Sequence, residues 1–320
     1  MVAVQGSGPI SDLSLRTQAN TAELEAPTGI TAPDSFALET GRASPTANAP
    51  VLHLAQATSE PRATSAIPRR LALPRRSPEA PTGSQFLAEL GDATGHTREV
   101  AIVNELLSGN VPSHLRRFTE IQMTSGGHDV RFFALPDYLA IGSDDDYFIV
   151  PMTGYAAQRV ADLTGTLLPT SRLVHAIFED ADETPTAHPF PPSDRMVHNS
   201  VFAEHNEIML QNRPSPHDGR LYAGDRKNVI IHRNSLANEN VTIYGFYRAD
   251  DTPWQNPYSG HDYAYSDYSH AVRLLGDYVE IDGQRFPLSQ ALRSETLGPL
   301  LTNDGPYPPD RLPSYSWPQR

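Results

Sequence analysis

From residue 86 onward the chain switches between the two hydrophobic periods of folded protein, and before that point neither is sustained. Val100, Val103, Leu106 and Leu107 recur at helical spacing; with Thr97 as a cap and Gly109 as a stop they predict a helix over 97–107. A short second helix is expected after Pro112. Apolar segments at 121–123 and 130–135 around Gly126-Gly127 predict a hairpin. Two further strands, 138–142 and 147–150, flank Asp144-Asp145-Asp146 and would complete a meander. Thr153 and Thr170 are placed to cap helices reaching 164 and 179, which would cover one face of the sheet. A Pro/His-rich loop over 181–197 leads to a helix over 200–212. Strands follow at 228–232, 241–247 and 268–275, then a hairpin over 278–286 turned by Asp282-Gly283. Short helices are expected over 288–293 and 295–301. The fold class is α+β: a mostly antiparallel sheet with packed helices, one domain over 86–303, and a Pro-rich tail over 304–320 extended on the surface.

Residues 1–85 differ in kind. They hold seven arginines, seven acids, ten prolines and a single aromatic, Phe36. Such a stretch has too little apolar surface to offset the entropy of ordering it, so a long disordered leader is expected. Its formal charge is zero, which leaves the whole net −13 on residues 86–320. An acidic domain lacks the basic face that phosphate contacts require, which argues against a nucleic-acid partner. Absence of cysteine removes thiolate nucleophiles, disulfides and thiolate metal sites. No apolar run is long enough to span a bilayer, and none follows the start as in a signal peptide. Within the leader, PRRLALPRRSP (68–78) is a basic near-repeat suited to an acidic partner or a protease, or else a solvated linker.

The densest polar cluster runs over 260–273. If 268–274 is a strand, Tyr268 and His270 share a face with Val272 and Leu274, while Ser269, Ala271 and Arg273 take the other. His270 among apolar neighbours needs a partner for its ring N–H, and Asp262, Asp267 or His261 could orient it or share a metal with it. His261, Asp267, His270, Lys227 and Arg273 are therefore the candidate catalytic residues. Tyr263, Tyr265, Tyr268 and His205 are the candidate substrate-binding residues, the tyrosines forming an aromatic wall. The alternative is a core histidine beside a tyrosine-rich turn.

Asp144 and Asp146 could hold a divalent metal through oxygen ligands, although Phe148 stands where an EF-hand loop needs glycine. Lys227 is the only lysine, beside 24 arginines. GC-rich coding explains such a bias, as does selection against ubiquitin acceptors in a host cytosol. No P-loop, dinucleotide fingerprint, nucleophile elbow or zinc signature occurs.

The segments LLSGNVPSHLRRF, PDYLAIGSDDDYFIVPMT, AQRVADLTGTLLPTSRLVHAIF and YSDYSHAVRL, spread over 104–275, together resemble an uncharacterised bacterial protein family. The resemblance implies a shared fold and site region rather than a reaction. The family's last motif is closer to DYSHG-x-R-L, and Ala271 stands here in place of its glycine. The leader resembles that of effectors delivered by type III secretion. Three functions follow as expectations: an exported, cysteine-independent hydrolase acting on a polar polymer or peptide; a non-enzymatic effector or binding module; or, on the tyrosines and acidity alone, a polysaccharide-binding domain. Its partner would be a protein, peptide or polysaccharide, and it would work after secretion or, alternatively, in the cytoplasm.

Overall fold

The computed structural model describes residues 70–213, 219–238 and 240–318. All belong to the second of two units into which the chain divides, Met1–Arg62 and Ala63–Arg320. The expected leader thus lies outside the described residues as far as 69, whereas 70–85 are part of the fold. Leu71 donates its N–H to the Arg116 carbonyl at 3.1 Å. The Arg76 guanidinium reaches Asn110 Oδ1 at 2.7 Å and the Gly142, Ala80 and Pro81 carbonyls. Its fan of donors satisfies loop carbonyls that no ladder reaches, so the second half of the Pro-Arg-Arg repeat serves the fold.

In chain order the elements are α1 (Gly83–Leu90), α2 (Gly95–Leu107), β1 (Thr119–Ser125), β2 (His128–Ala134), β3 (Ala140–Gly142), β4 (Tyr147–Ile149), α3 (Gly154–Thr164), α4 (Ser171–Glu179), α5 (Asn199–Gln211), β5 (Lys227–Ile230), α6 (Arg233–Asn238), β6 (Asn240–Tyr247), β7 (Pro253–Asp262), β8 (His270–Ala271), β9 (Leu275–Ile281), β10 (Gln284–Pro287), α7 (Leu288–Ala291) and α8 (Gly298–Leu301). A single turn of 3-10 helix, Ser113–Arg116, follows Pro112. The strands form three sheets, ordered β1-β2-β9-β10, β3-β4 and β7-β6-β5-β8. Every pairing is antiparallel except β5 with β8. The fold is α+β, as the periodicities indicate.

Local chemistry accounts for the starts of α1, α3 and α4, whereas α2 begins at Gly95, ahead of the expected Thr97 cap, with no side-chain cap bond. Thr82 and Gln85 form a reciprocal capping box on α1. The Thr153 and Thr170 hydroxyls accept the N–H groups of Ala156 and Leu173 at the heads of α3 and α4. α3 packs on α2 and β6, and α4 on β1 and β6.

Several expectations are corrected. The four early strands are not one meander, because β3 and β4 form a separate hairpin. After β2 the chain instead bonds to the 272–274 segment, Leu135 N–H to the Leu274 carbonyl and Leu139 N–H to the Val272 carbonyl. The strand expected over 268–275 shrinks to His270–Ala271, since the Asp267 carboxylate captures the Ser269 N–H at 2.8 Å and hydroxyl at 2.6 Å and bends the chain. β7 has no counterpart among the expected strands; it carries two prolines, Pro253 and Pro257, which an edge strand tolerates. The tail does not simply lie outside: Tyr307 and Tyr315 are buried. The Tyr315 hydroxyl donates to the Ile230 carbonyl at 2.6 Å and accepts the Thr242 N–H at 3.0 Å.

Candidate acid–base site

The sheet β7-β6-β5-β8 gathers the polar cluster. Lys227 opens β5, paired with Gly245 of β6 on one side and His270 of β8 on the other. Its N–H donates to the Ser269 carbonyl at 2.8 Å. Asp267, one turn ahead, is held by Ser269 through Oδ1 and by the Tyr265 hydroxyl, which donates to Oδ2 at 3.2 Å. His270 Nε2 stands 3.8 Å from Asp267 Oδ2. The Tyr265 ring lies edge-on to His270 at 5.6 Å and stacks flat on His261 at 4.0 Å. His261, Tyr265, Asp267, His270 and Lys227 thus form one cluster.

The cluster is graded in burial. His270 is 0% and Asp267 2% exposed, whereas His261, Tyr265 and Lys227 are half-buried. Neither ring nitrogen of His270 has a hydrogen-bond partner in the protein, a state that costs about 1–3 kcal/mol for a buried polar group. Burial pushes the His270 imidazole down to about 4 despite Asp267, and lowers His261 as well. Burial alone would raise the Asp267 carboxyl, but His270, Lys227 and the Ser269 bonds outweigh it and hold Asp267 below the usual carboxylate range. At neutral pH the site therefore pairs two neutral imidazoles with an ionised carboxylate and an ammonium.

Behind Lys227 the backbone is strained. Phe246 is buried with φ +61°, a left-handed conformation that bulky residues avoid. Its N–H donates to the Arg226 carbonyl, and its ring lies 5.6 Å from Lys227 Nζ. Phe246 escaped sequence reasoning, because strain has no signature in composition; the preceding Gly245, at φ +104°, was the only cue.

Other predicted residues go elsewhere. Arg273 is buried over the Tyr138 ring and donates to the Leu135 and Tyr222 carbonyls, so it braces the core. The turn at Asp267 sends Tyr268 onto His205, 4.6 Å away, and its hydroxyl accepts the Phe190 N–H. His205 is fully buried, bonds the His188 carbonyl at 3.0 Å, and is pushed down to about 2 by burial and by Arg226. Tyr263 turns away from His261 and packs on Tyr155 at 5.8 Å. Asp144 caps the 3-10 turn through the Ser113 N–H and hydroxyl, and Asp146 clasps Ser84 at the head of α1. The two acids are spent on separate elements, and among the described residues no group of three or more His, Asp or Glu could hold a metal. Ala271 is fully buried and its Cβ is accommodated in the core.

Two buried ionic groups complete the interior. Asp137 and Asp225 clamp Arg213. Glu99 joins Arg98 at 3.0 Å to the Thr153 N–H and hydroxyl. Among the described residues no helix is long and apolar enough to cross a membrane. No protein-family profile, curated protein or solved structure matches the chain.

Proposed function

We propose that the chain is an exported, effector-like hydrolase that cleaves an acyl bond of a peptide or other polar polymer at the His261–Tyr265–Asp267–His270–Lys227 cluster. The observation that carries the reading is the half-buried, neutral His261 above an anionic Asp267 and beside the chain's only lysine. His261 takes a proton from water as the water oxygen bonds to the carbonyl carbon. The carbonyl electron pair moves to its oxygen, which faces the Lys227 ammonium. Collapse breaks the bond to the leaving group, which takes the proton back from His261. Asp267 stabilises the intermediate imidazolium, and Ser269 and Tyr265 position Asp267.

The test is hydrolysis of fluorogenic peptide and ester substrates by the full chain. His261→Gln and Lys227→Met should each lower the rate by about 100-fold or more with an unchanged melting temperature. No rate above buffer, or variants as active as the parent, overturns the reading. The leader's composition supports export; a reporter fused to residues 1–85 that stays inside cells under secretion-inducing conditions removes that part.

A second reading, a non-enzymatic effector or binding module with a structural histidine cluster, is favoured by the complete burial of His270. It predicts that His270→Ala unfolds the protein rather than silencing it.

A further inference from the structure

Tyr263, turned away from the acid–base cluster, helps to line a recess of about 350 Å³ between α6 and the carboxyl-terminal tail. The volume falls in the range of about 300–1,000 Å³ typical of small-molecule sites. Its lining rings Tyr263 and Trp317 both pack edge-on against the buried Tyr155, at 5.8 Å and 71° and at 5.2 Å and 82°, while His96 lies edge-on to Trp317 at 5.1 Å. Ser314, Ser316 and Arg311 are exposed on the rim, and none of the described lining residues is acidic, in a chain of net charge −13.

The recess is built rather than incidental. The Tyr263 carbonyl accepts the Gly154 N–H at 3.0 Å, which fixes the turn to the head of α3. Tyr315 fixes the tail to the sheet through Ile230 and Thr242. Both walls are therefore in position before any ligand arrives, which lowers the entropy cost of binding.

We infer that this recess binds an oligosaccharide. The Tyr263 and Trp317 rings that line it suit the apolar faces of pyranose rings, while serine hydroxyls and one guanidinium suit their hydroxyls and any uronic carboxylate. A cationic peptide would find no counter-charge here, and a purely apolar ligand would leave the polar rim unmatched. The inference uses none of the acid–base residues and stands independently of the hydrolase reading.

The chain has two tryptophans, so Trp254→Phe leaves Trp317 as the only indole reporter. The experiment titrates the full chain carrying Trp254→Phe with cellohexaose, chitohexaose and an oligogalacturonate separately, by emission and calorimetry. At least one glycan should give a saturable signal, and Tyr263→Ala should weaken it by about tenfold or more. Trp317→Ala, followed by calorimetry, should do the same; if that variant unfolds, Tyr263→Ala decides, since the Tyr263 ring is only half-buried. His261→Gln should leave binding unchanged. Failure of all three glycans to saturate at about 10 mM, binding that survives Tyr263→Ala, or saturable binding of a tyrosine-rich hexapeptide in place of the glycans overturns the inference.

Discussion

His270 Nε2 and Asp267 Oδ2 stand 3.8 Å apart, close enough to feel each other's charge and too far to share a hydrogen bond. The geometry leaves His270 neutral, its imidazole pushed down to about 4 from an ordinary 6.5. Between those values the unfolded chain binds a proton that the folded chain refuses. The stability contributed by neutral His270 is therefore complete above about pH 6.5, falls as pH drops, and levels off below about pH 4, a loss of up to about 3 kcal/mol. His205, pushed down to about 2, acts in the same direction to lower pH. Urea unfolding of the parent and His270→Asn at about pH 7.5 and about pH 4.5 should show a pH dependence smaller in the variant by about 2 kcal/mol. Equal pH dependence in both proteins would contradict a neutral buried His270.

Asp267→Asn separates the roles of that carboxylate. An amide oxygen can still accept from Ser269, but the amide nitrogen would meet the Tyr265 hydroxyl and no negative charge would support His261. A stability loss of about 1–3 kcal/mol is expected, along with a drop of about 100-fold or more in hydrolysis. Stability comes from chemical denaturation and rate from the fluorogenic assay. Full activity after the substitution would exclude Asp267 from the chemistry.

Glu99→Ala removes the counter-charge of the buried Arg98 guanidinium, which keeps only its bond to the Val197 carbonyl and its place over the Phe202 ring, and removes the acceptor for the Thr153 N–H and hydroxyl at the head of α3. Removing one member of a buried ion pair costs about 3–5 kcal/mol. Thermal and denaturant unfolding should both register it, and a loss below about 1 kcal/mol would mean that water reaches the site.

Gly142 closes β3 at φ +132°, and a Cβ there would lie 2.3 Å from the Asp146 carbonyl oxygen and 2.7 Å from the Gly83 nitrogen. The Gly83 N–H donates to the same Asp146 carbonyl. Gly142→Ala should therefore part α1 from the β3–β4 hairpin and lower the denaturation midpoint by the equivalent of about 2 kcal/mol or more. An unchanged midpoint would show that this joint yields freely.

Tyr315→Phe deletes one oxygen and leaves the Ile230 carbonyl and the Thr242 N–H without that partner at the buried pairing of β5 with β6. The expected cost is about 1–3 kcal/mol, with faster proteolysis of the tail. Resistance equal to the parent would mean that ring burial alone anchors it.

What the chain determines by itself is what arises within a few residues. Helical spacing with Thr153 and Thr170 placed α3 and α4 at their observed starts, and Asp282-Gly283 marked the β9–β10 turn, because caps and tight turns are short-range hydrogen-bond chemistry. The same local reading drew His261, Asp267 and His270 into one cluster, since all lie within ten residues of sequence. Only the tertiary structure decided that Lys227 joins them, through a parallel pairing of β5 with β8 that no local pattern encodes. It also separated Tyr268 from the cluster, because the Asp267 side chain replaces a strand by a turn and cancels the alternation assumed for that segment, and it sent Arg273 into the core and Tyr263 onto Tyr155. Side-chain capture of backbone N–H groups and sheet order depend on which segments meet in space, and hydrophobic periodicity carries no information about that.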